Sequence, residues 1–172
     1  PSQTPVPVAN AYHTPETLGR DRLAAAVGAT VLYPGRNVLI VDFGTAVTID
    51  LVTADNTFRG GCISPGVTMR FRALHDYTAK LPLCAATGGE GLSGLTTEEA
   101  IELGVMNGIA FEIEGYVTRM REKIDGLRVI FTGGDAKFFV KRIKNTIFAN
   151  CNLVFCGLDR ILEYNASEEH LD

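Results

Sequence analysis

Asn37-Val38-Leu39-Ile40-Val41-Asp42-Phe43-Gly44-Thr45-Ala46 is the stretch on which the fold turns. Its first half is an almost unbroken apolar run, long enough for a strand buried on both faces. It ends on an acid and a Gly-Thr turn. Val47–Thr53 then alternates well enough for a second strand, Ala54-Asp55-Asn56 reads as a turn, and Thr57–Ile63 as a third strand. The links are too short for crossovers, so an antiparallel meander is expected. Pro65-Gly66 closes it, and Val67–Tyr77 reads as a helix with Met69, Phe71 and Leu74 turned inward.

Further along the chain, Ala85–Gly94 is a glycine-rich loop, and Thr96-x-x-Glu99 is a capping box opening a helix that runs to about Ile124. Ile101, Val105, Ile109, Ile113, Val117 and Met120 form one apolar stripe, widened by Leu103, Met106, Phe111 and Tyr116. So broad a stripe implies burial on more than one side, a second subunit included. Arg128–Thr132 reads as a strand, Asp135–Ile143 as a helix, Leu153–Cys156 as a strand and Leu158–Tyr164 as a closing helix. In the other direction, the proline-rich Pro1–Ala11 is extended, with an edge strand around Pro5–Val8. From Tyr12 the pattern is helical, with Thr14-Pro15 as cap and first position, continuing to about Gly28.

The expected order after residue 37 is β-β-β-α-α-β-α-β-α. This α/β pattern, a three-stranded antiparallel meander extended by parallel strands with helices, is that of a ribonuclease-H-like lobe of the actin-like ATPase superfamily. Proteins of that superfamily normally carry two such lobes around an ATP cleft. The expected division is residues 1–36 as a remnant of an N-terminal lobe and substrate-binding segment, and 37–172 as the C-terminal ribonuclease-H-like lobe.

Composition narrows the function. In 172 residues, hydrophobic side chains make up 46% and charged ones 21%, as in an ordinary globular domain with a sizeable core. The net charge is −4, with no Lys/Arg cluster, which argues against nucleic acid or an anionic membrane as partner. No apolar run approaches the roughly 18 residues of a membrane span, and there is no signal-peptide pattern. The four cysteines have neither CxxC spacing nor a nearby histidine, so reduced thiols in a cytoplasmic protein are expected.

Three glycine turns carry the chemistry. In Asp42-x-Gly44-Thr45 the backbone can approach a phosphate, Thr45 can donate to it, and Asp42 can hold a cation. A plain hairpin whose Asp bonds turn amides fits the same string. Thr132-Gly133-Gly134-Asp135 lies between strand and helix, where paired glycines make room for a nucleotide or simply adopt positive φ. Gly60-Gly61 through Pro65-Gly66 is the third. Upstream, Gly19-Arg20-Asp21-Arg22 sets a carboxylate beside a guanidinium. Asp21 suits a general base and Arg22 a bidentate grip on an anion, while helix electrostatics alone would also place them there.

Taken together, Tyr12-x-Thr14-Pro15-x-Thr17-Leu18-Gly19-x-Asp21-Arg22, Asp42-x-Gly44-Thr45-Ala46-x-Thr48 and Gly60-Gly61-x-Ile63-x-Pro65-Gly66 strongly resemble the type III pantothenate kinases. The resemblance continues through Leu81-Pro82, Thr97-x-x-Ala100, Gly104, Gly108 and Thr132-Gly133-Gly134, from about Thr4 to Asn165. It implies ATP-dependent phosphorylation of pantothenate to 4'-phosphopantothenate, the first step of coenzyme A synthesis. A homodimer using magnesium and a monovalent cation, potassium or ammonium, is also implied.

Residue by residue, the resemblance makes Asp21 the catalytic base. It places Tyr12, Gly19, Arg20, Asp21 and Arg22 at pantothenate, with Thr97 contributed across the dimer. Asp42 becomes the monovalent-cation ligand, and Thr45, Gly133 and Gly134 ATP contacts; His75 receives no role. The family's first phosphate loop, of the Asp-x-Gly-Asn-Thr kind, does not occur here, so the chain is expected to begin late in the N-terminal lobe and to be inactive alone. A non-catalytic accessory or regulatory homologue, or a dimerisation fragment, is the alternative.

Overall fold

Val38–Phe43 forms β2, the central strand of the computed structural model, which describes residues 4–143, 148–149 and 152–168. Its side chains are buried on both faces, as the apolar run requires. Ala46–Thr53 (β3) pairs antiparallel with β2, and Thr57–Pro65 (β4) antiparallel with β3, which makes the expected meander. Arg128–Thr132 (β5) lies parallel to β2 on its other side, and Phe148–Ala149 (β6) parallel to β5. Ala9–Asn10 (β1) adds a short parallel edge to β4, giving the order β1-β4-β3-β2-β5-β6 among the described residues. A meander whose first strand is extended by two parallel strands is the arrangement of a ribonuclease-H-like lobe.

Alternation along β2 splits the core in two. Leu39, Val41 and Phe43 face one layer, built by α2 (Val67–Asp76) and α3 (Thr97–Arg121). Val38 and Ile40 face the other, built by α1 (Arg20–Leu32) and α5 (Leu153–Glu168). A four-residue helix, α4 (Ala136–Phe139), follows β5 and stacks Phe139 on Phe43 at 4.7 Å between ring centroids.

The helix α3 opens with the expected capping box, in which the Glu99 amide donates to Thr96 Oγ1 and the Thr96 amide to Glu99 Oε2, both at 3.2 Å. One turn on, the buried Glu102 carboxylate gathers the glycine-rich loop. It accepts from the Thr87 amide (2.6 Å) and hydroxyl (2.7 Å) and from the Gly88 (2.8 Å) and Gly89 (3.0 Å) amides. Asn107 Nδ2 donates to Gly91 O at 2.8 Å, and Arg142 donates to Gly89 O. Burial pushes the Glu102 carboxyl up, but these donors outweigh it and hold it below the usual range.

Several elements differ from the sequence reading. Thr14-Pro15 opens only a 3-10 turn over Pro15–Thr17, because the Thr17 hydroxyl donates to Thr14 O and Leu18 turns extended; α1 starts afresh at Arg20. It then runs past Gly28, which is a contact point and not a stop. The edge strand falls at Ala9–Asn10 instead of Pro5–Val8, since the prolines lack the amides that Ala9 and Ala11 give to Asn56 O and Phe58 O. Asp135–Ile143 shortens to α4. Leu153–Cys156 is the first turn of α5, not a strand, and β6 lies earlier. In α2 the inward residues are Val67, Phe71 and Leu74; Met69 lies off that phase and is exposed, as is Phe111 of α3.

At the crossing of α1 and α5, glycine faces glycine. A Cβ on Gly157 would stand 1.8 Å from the Ala24 carbonyl oxygen, and one on Gly28 would stand 2.2 Å from that of Leu153. The two backbones touch, and this fixes where α1 carries its first turn.

Candidate functional site

The sheet and α1 bring two distant stretches of sequence to one corner. Asp42, near the end of β2, is in register with Thr48 of β3 and Thr132 of β5. It shares the α1 face with Ile40. Beyond it, Gly44 and Thr45 form the β2–β3 hairpin, with Thr45 exposed at the tip and the Gly44 amide donating to Ala46 O at 3.2 Å. Gly66 sits under this hairpin: its amide donates to Thr45 O at 3.0 Å, and a Cβ there would be 2.4 Å from Gly44 O. Gly133, at φ +90°, closes the other side, since a Cβ would meet Asp42 Oδ1 at 2.4 Å. The Asp135 amide donates to Phe43 O at 3.1 Å. Gly134 is exposed, with nothing crowding the place of a Cβ.

The first turn of α1 supplies the rest. Asp21 is exposed and folds back over Gly19, where a Cβ would be 2.5 Å from its Oδ1; that oxygen accepts the Arg22 amide at 2.9 Å. Arg20 is exposed on the same turn. Arg22 turns inward and is buried, with Nε donating to both Asp50 oxygens (3.0 and 3.2 Å) and Nη2 to Oδ1. The hydrogen bond to Asp50 raises the Arg22 pKa above its usual value, against the pull of burial. Its Cζ lies 5.6 Å from the Tyr12 ring centroid and 5.7 Å from that of Phe58, with those rings 6.2 Å apart and tilted by 50°. The cation sits in the V between two aromatic faces.

Burial pushes the Asp42 carboxyl above the usual carboxylate range, and the nearby Asp21 and Asp50 carboxylates add to the shift. A carboxyl raised by folding adds stability below its unfolded pKa, about 4, and loses it as pH rises through the folded value. Asp42→Asn is therefore expected to raise Tm at pH 7, with the gap closing below about pH 4. Thermal denaturation across that range measures it. A variant less stable than the parent at pH 7 would mean the charge is compensated inside the fold.

Thr97 is not part of this corner. It is exposed at the start of α3, and α3 covers the opposite face of the sheet from α1. Gly60 and Gly61, taken in the sequence as part of a third glycine turn that with the others points to a cleft ligand, make clearance for side chains: a Cβ on Gly60 (φ +82°) would press on the Tyr12 ring at 3.3 Å, and one on Gly61 would stand 2.3 Å from Asp50 Oδ1.

The family model of the type III pantothenate kinases matches residues 1–119. The chain belongs to that family. The type III pantothenate kinase of Phocaeicola vulgatus is 50% identical over 163 residues, which are 95% of this chain and 67% of that protein. That of Christiangramia forsetii is 46% identical over the same shares. The chain thus spans about two thirds of the length of these relatives. A crystal structure from Campylobacter jejuni, assigned to the Baf family of transcriptional activators, superposes with a TM-score of 0.68 over 93% of this chain and 69% of its own. At 24% identity it shares the fold.

Reading this pantothenate kinase by sequence missed Asp50 and Phe58. The available signal was an acid at an in-facing position of a buried strand, where a charge needs a partner.

Proposed function

We propose that this chain serves the ATP-dependent phosphorylation of the primary hydroxyl of pantothenate, giving 4'-phosphopantothenate for coenzyme A synthesis. The reading rests on one juxtaposition: Asp21 of α1 lies close enough to Asp42 for the two carboxylates to interact, while the next residue, Arg22, is bonded to Asp50 on the neighbouring strand. Asp21 takes the hydroxyl proton as that oxygen bonds to the γ-phosphorus. The bond from that phosphorus to the bridging oxygen breaks, and ADP leaves. In such a transfer the protein mainly positions its reactants and neutralises charge, so an exposed carboxylate suffices as base.

Arg22 holds the pantothenate carboxylate, with Tyr12, Gly19 and Arg20 completing that wall. Thr45, Gly133 and Gly134 line the side of ATP, where Gly134 leaves open space. Asp42 fits a potassium or ammonium ion, because a half-buried carboxylate beside two other acids carries charge that a monovalent cation offsets. Among the described residues no three acidic, histidine or cysteine side chains converge closely enough to hold a metal ion, so a cation at Asp42 would take its other ligands from elsewhere and magnesium would arrive with the ATP phosphates. A homodimer suits Thr97, which could serve the corner of a second copy. No helix among the described residues is long and apolar enough to cross a membrane, and a cytoplasmic enzyme is the consistent setting.

The deciding experiment follows ADP release by the complete enzyme with pantothenate, ATP, magnesium and potassium. Turnover that requires pantothenate is expected. ATP hydrolysis indifferent to pantothenate, or no binding of pantothenate in a calorimeter, would favour the accessory reading.

A further inference from the structure

We propose that Asp50 is a positioning residue for substrate recognition: it holds the side edge of the Arg22 guanidinium and so aims the remaining edge at the substrate carboxylate. This rests on the pantothenate kinase reading given above. A guanidinium has two edges that can make paired hydrogen bonds, one through Nε and Nη2, the other through Nη1 and Nη2. Asp50 takes the first, with Nε bonded to both carboxylate oxygens and Nη2 to one. The Tyr12 side chain also bears on the guanidinium, so the second edge is a preset fork that a carboxylate would share with that hydroxyl, and little side-chain freedom is left to lose on binding.

Several features of the chain serve this arrangement. Asp50 is 2% exposed and Arg22 7%, so the pair is buried as a unit. The β3–β4 pairing shifts register between Asp50 and Val52, placing an extra residue on β4 where Gly60 takes φ +82°. That bulge sets Gly61 opposite Asp50, and no larger residue fits, since a Cβ would be 2.1 Å from Ile49 O and 2.3 Å from Asp50 Oδ1. Gly60 in turn lets Tyr12 close over the cation, with Phe58 beside it. A buried ion pair is a costly way to gain stability alone, because an apolar pair of the same volume does as well. Orientation is what the pair supplies. Arg22 follows Asp21 directly, so fixing its plane fixes how far a carboxylate held there stands from the base.

The test compares pantothenate with pantothenol, its uncharged alcohol, in the complete enzyme and in Asp50→Asn. Asp50→Asn is expected to raise KM for pantothenate at least about tenfold, with KM for pantothenol and ATP within roughly twofold. Equal losses on both substrates, or a pantothenate KM that is unchanged or lower, overturn the proposal. A parent enzyme that ignores pantothenate would instead overturn the functional reading. Because removing one member of a buried pair can unfold the protein, a second measurement uses the parent enzyme. With nitrogen-15 arginine, the Nε–H resonance of Arg22 should stay in place and protected when pantothenate binds, while its Nη resonances move. An Nε–H that shifts or loses protection means that substrate displaces Asp50, and the proposal fails.

Discussion

Asp21→Asn in the complete enzyme is expected to lower kcat by at least about 10²-fold, the usual floor for losing a general base. The substitution keeps size and still accepts the Arg22 amide that Asp21 Oδ1 receives at 2.9 Å, so α1 should start as before. It also leaves Arg22, Tyr12 and Asp50 as they are. Pantothenate affinity should therefore change far less than turnover, which separates a step made in the transition state from binding shared with the ground state. Steady-state kinetics and isothermal titration on folded protein measure the two. Near-normal kcat would mean that Asp21 serves the helix terminus and that another group takes the proton.

The second large effect concerns stability. Gly157→Ala is expected to cost about 3 kcal/mol or more, from overpacking a contact that has no room to give. The methyl would stand 1.8 Å from Ala24 O and 2.9 Å from the Gly28 amide nitrogen, both backbone atoms of α1. Relief requires α1 and α5 to part, which opens the layer formed by Val27, Ile40 and Leu153. For a chain of this size the loss corresponds to a Tm lower by roughly 6–12 °C. Chemical denaturation of parent and variant gives the number. A loss below about 1 kcal/mol would show that the helices slide apart freely, and α1 would then be a poor anchor for Asp21 and Arg22.

What could be read without the structure divides along the range of the interactions. The meander was legible because Val38–Phe43, Ala46–Thr53 and Thr57–Pro65 pair with immediate neighbours through short turns, so alternation and turn residues suffice. Thr96 and Glu99 announced α3 for the same reason. Leu153–Cys156 misled because four apolar residues suit a strand or a helix turn equally. Contact with Gly28, far away in sequence, decides between them. At the site, Asp21, Asp42 and the glycines stood out as local strings. The Arg22–Asp50 pair did not: alternation along β3 puts Asp50 on the α1 face, but its partner lies 28 residues away, and the glycine that clears it is set by a bulge on β4. The glycines at 60 and 61 stood out as a third glycine turn, but what they clear is Tyr12 and Asp50.

Glu102 fastens the loop after Ala85 by charge, while the sheet beneath is held by apolar packing. Those two kinds of attachment answer differently to acid. A carboxyl held below its ordinary range gives its stabilisation above the unfolded pKa and surrenders it as pH falls through the folded one. Protonated, Glu102 can no longer serve as acceptor for all of Thr87, Gly88 and Gly89, whereas Leu39, Val41 and Ile109 lose nothing. Acidification should thus peel the molecule from the outside, freeing a segment whose Leu92 and Leu95 are already 83% and 97% exposed. The result is a state with an intact sheet and a sticky apolar tether. Such a tether invites self-association, so the hazard for this protein, once pH falls below the ordinary carboxylate range, is clumping of a still-folded core.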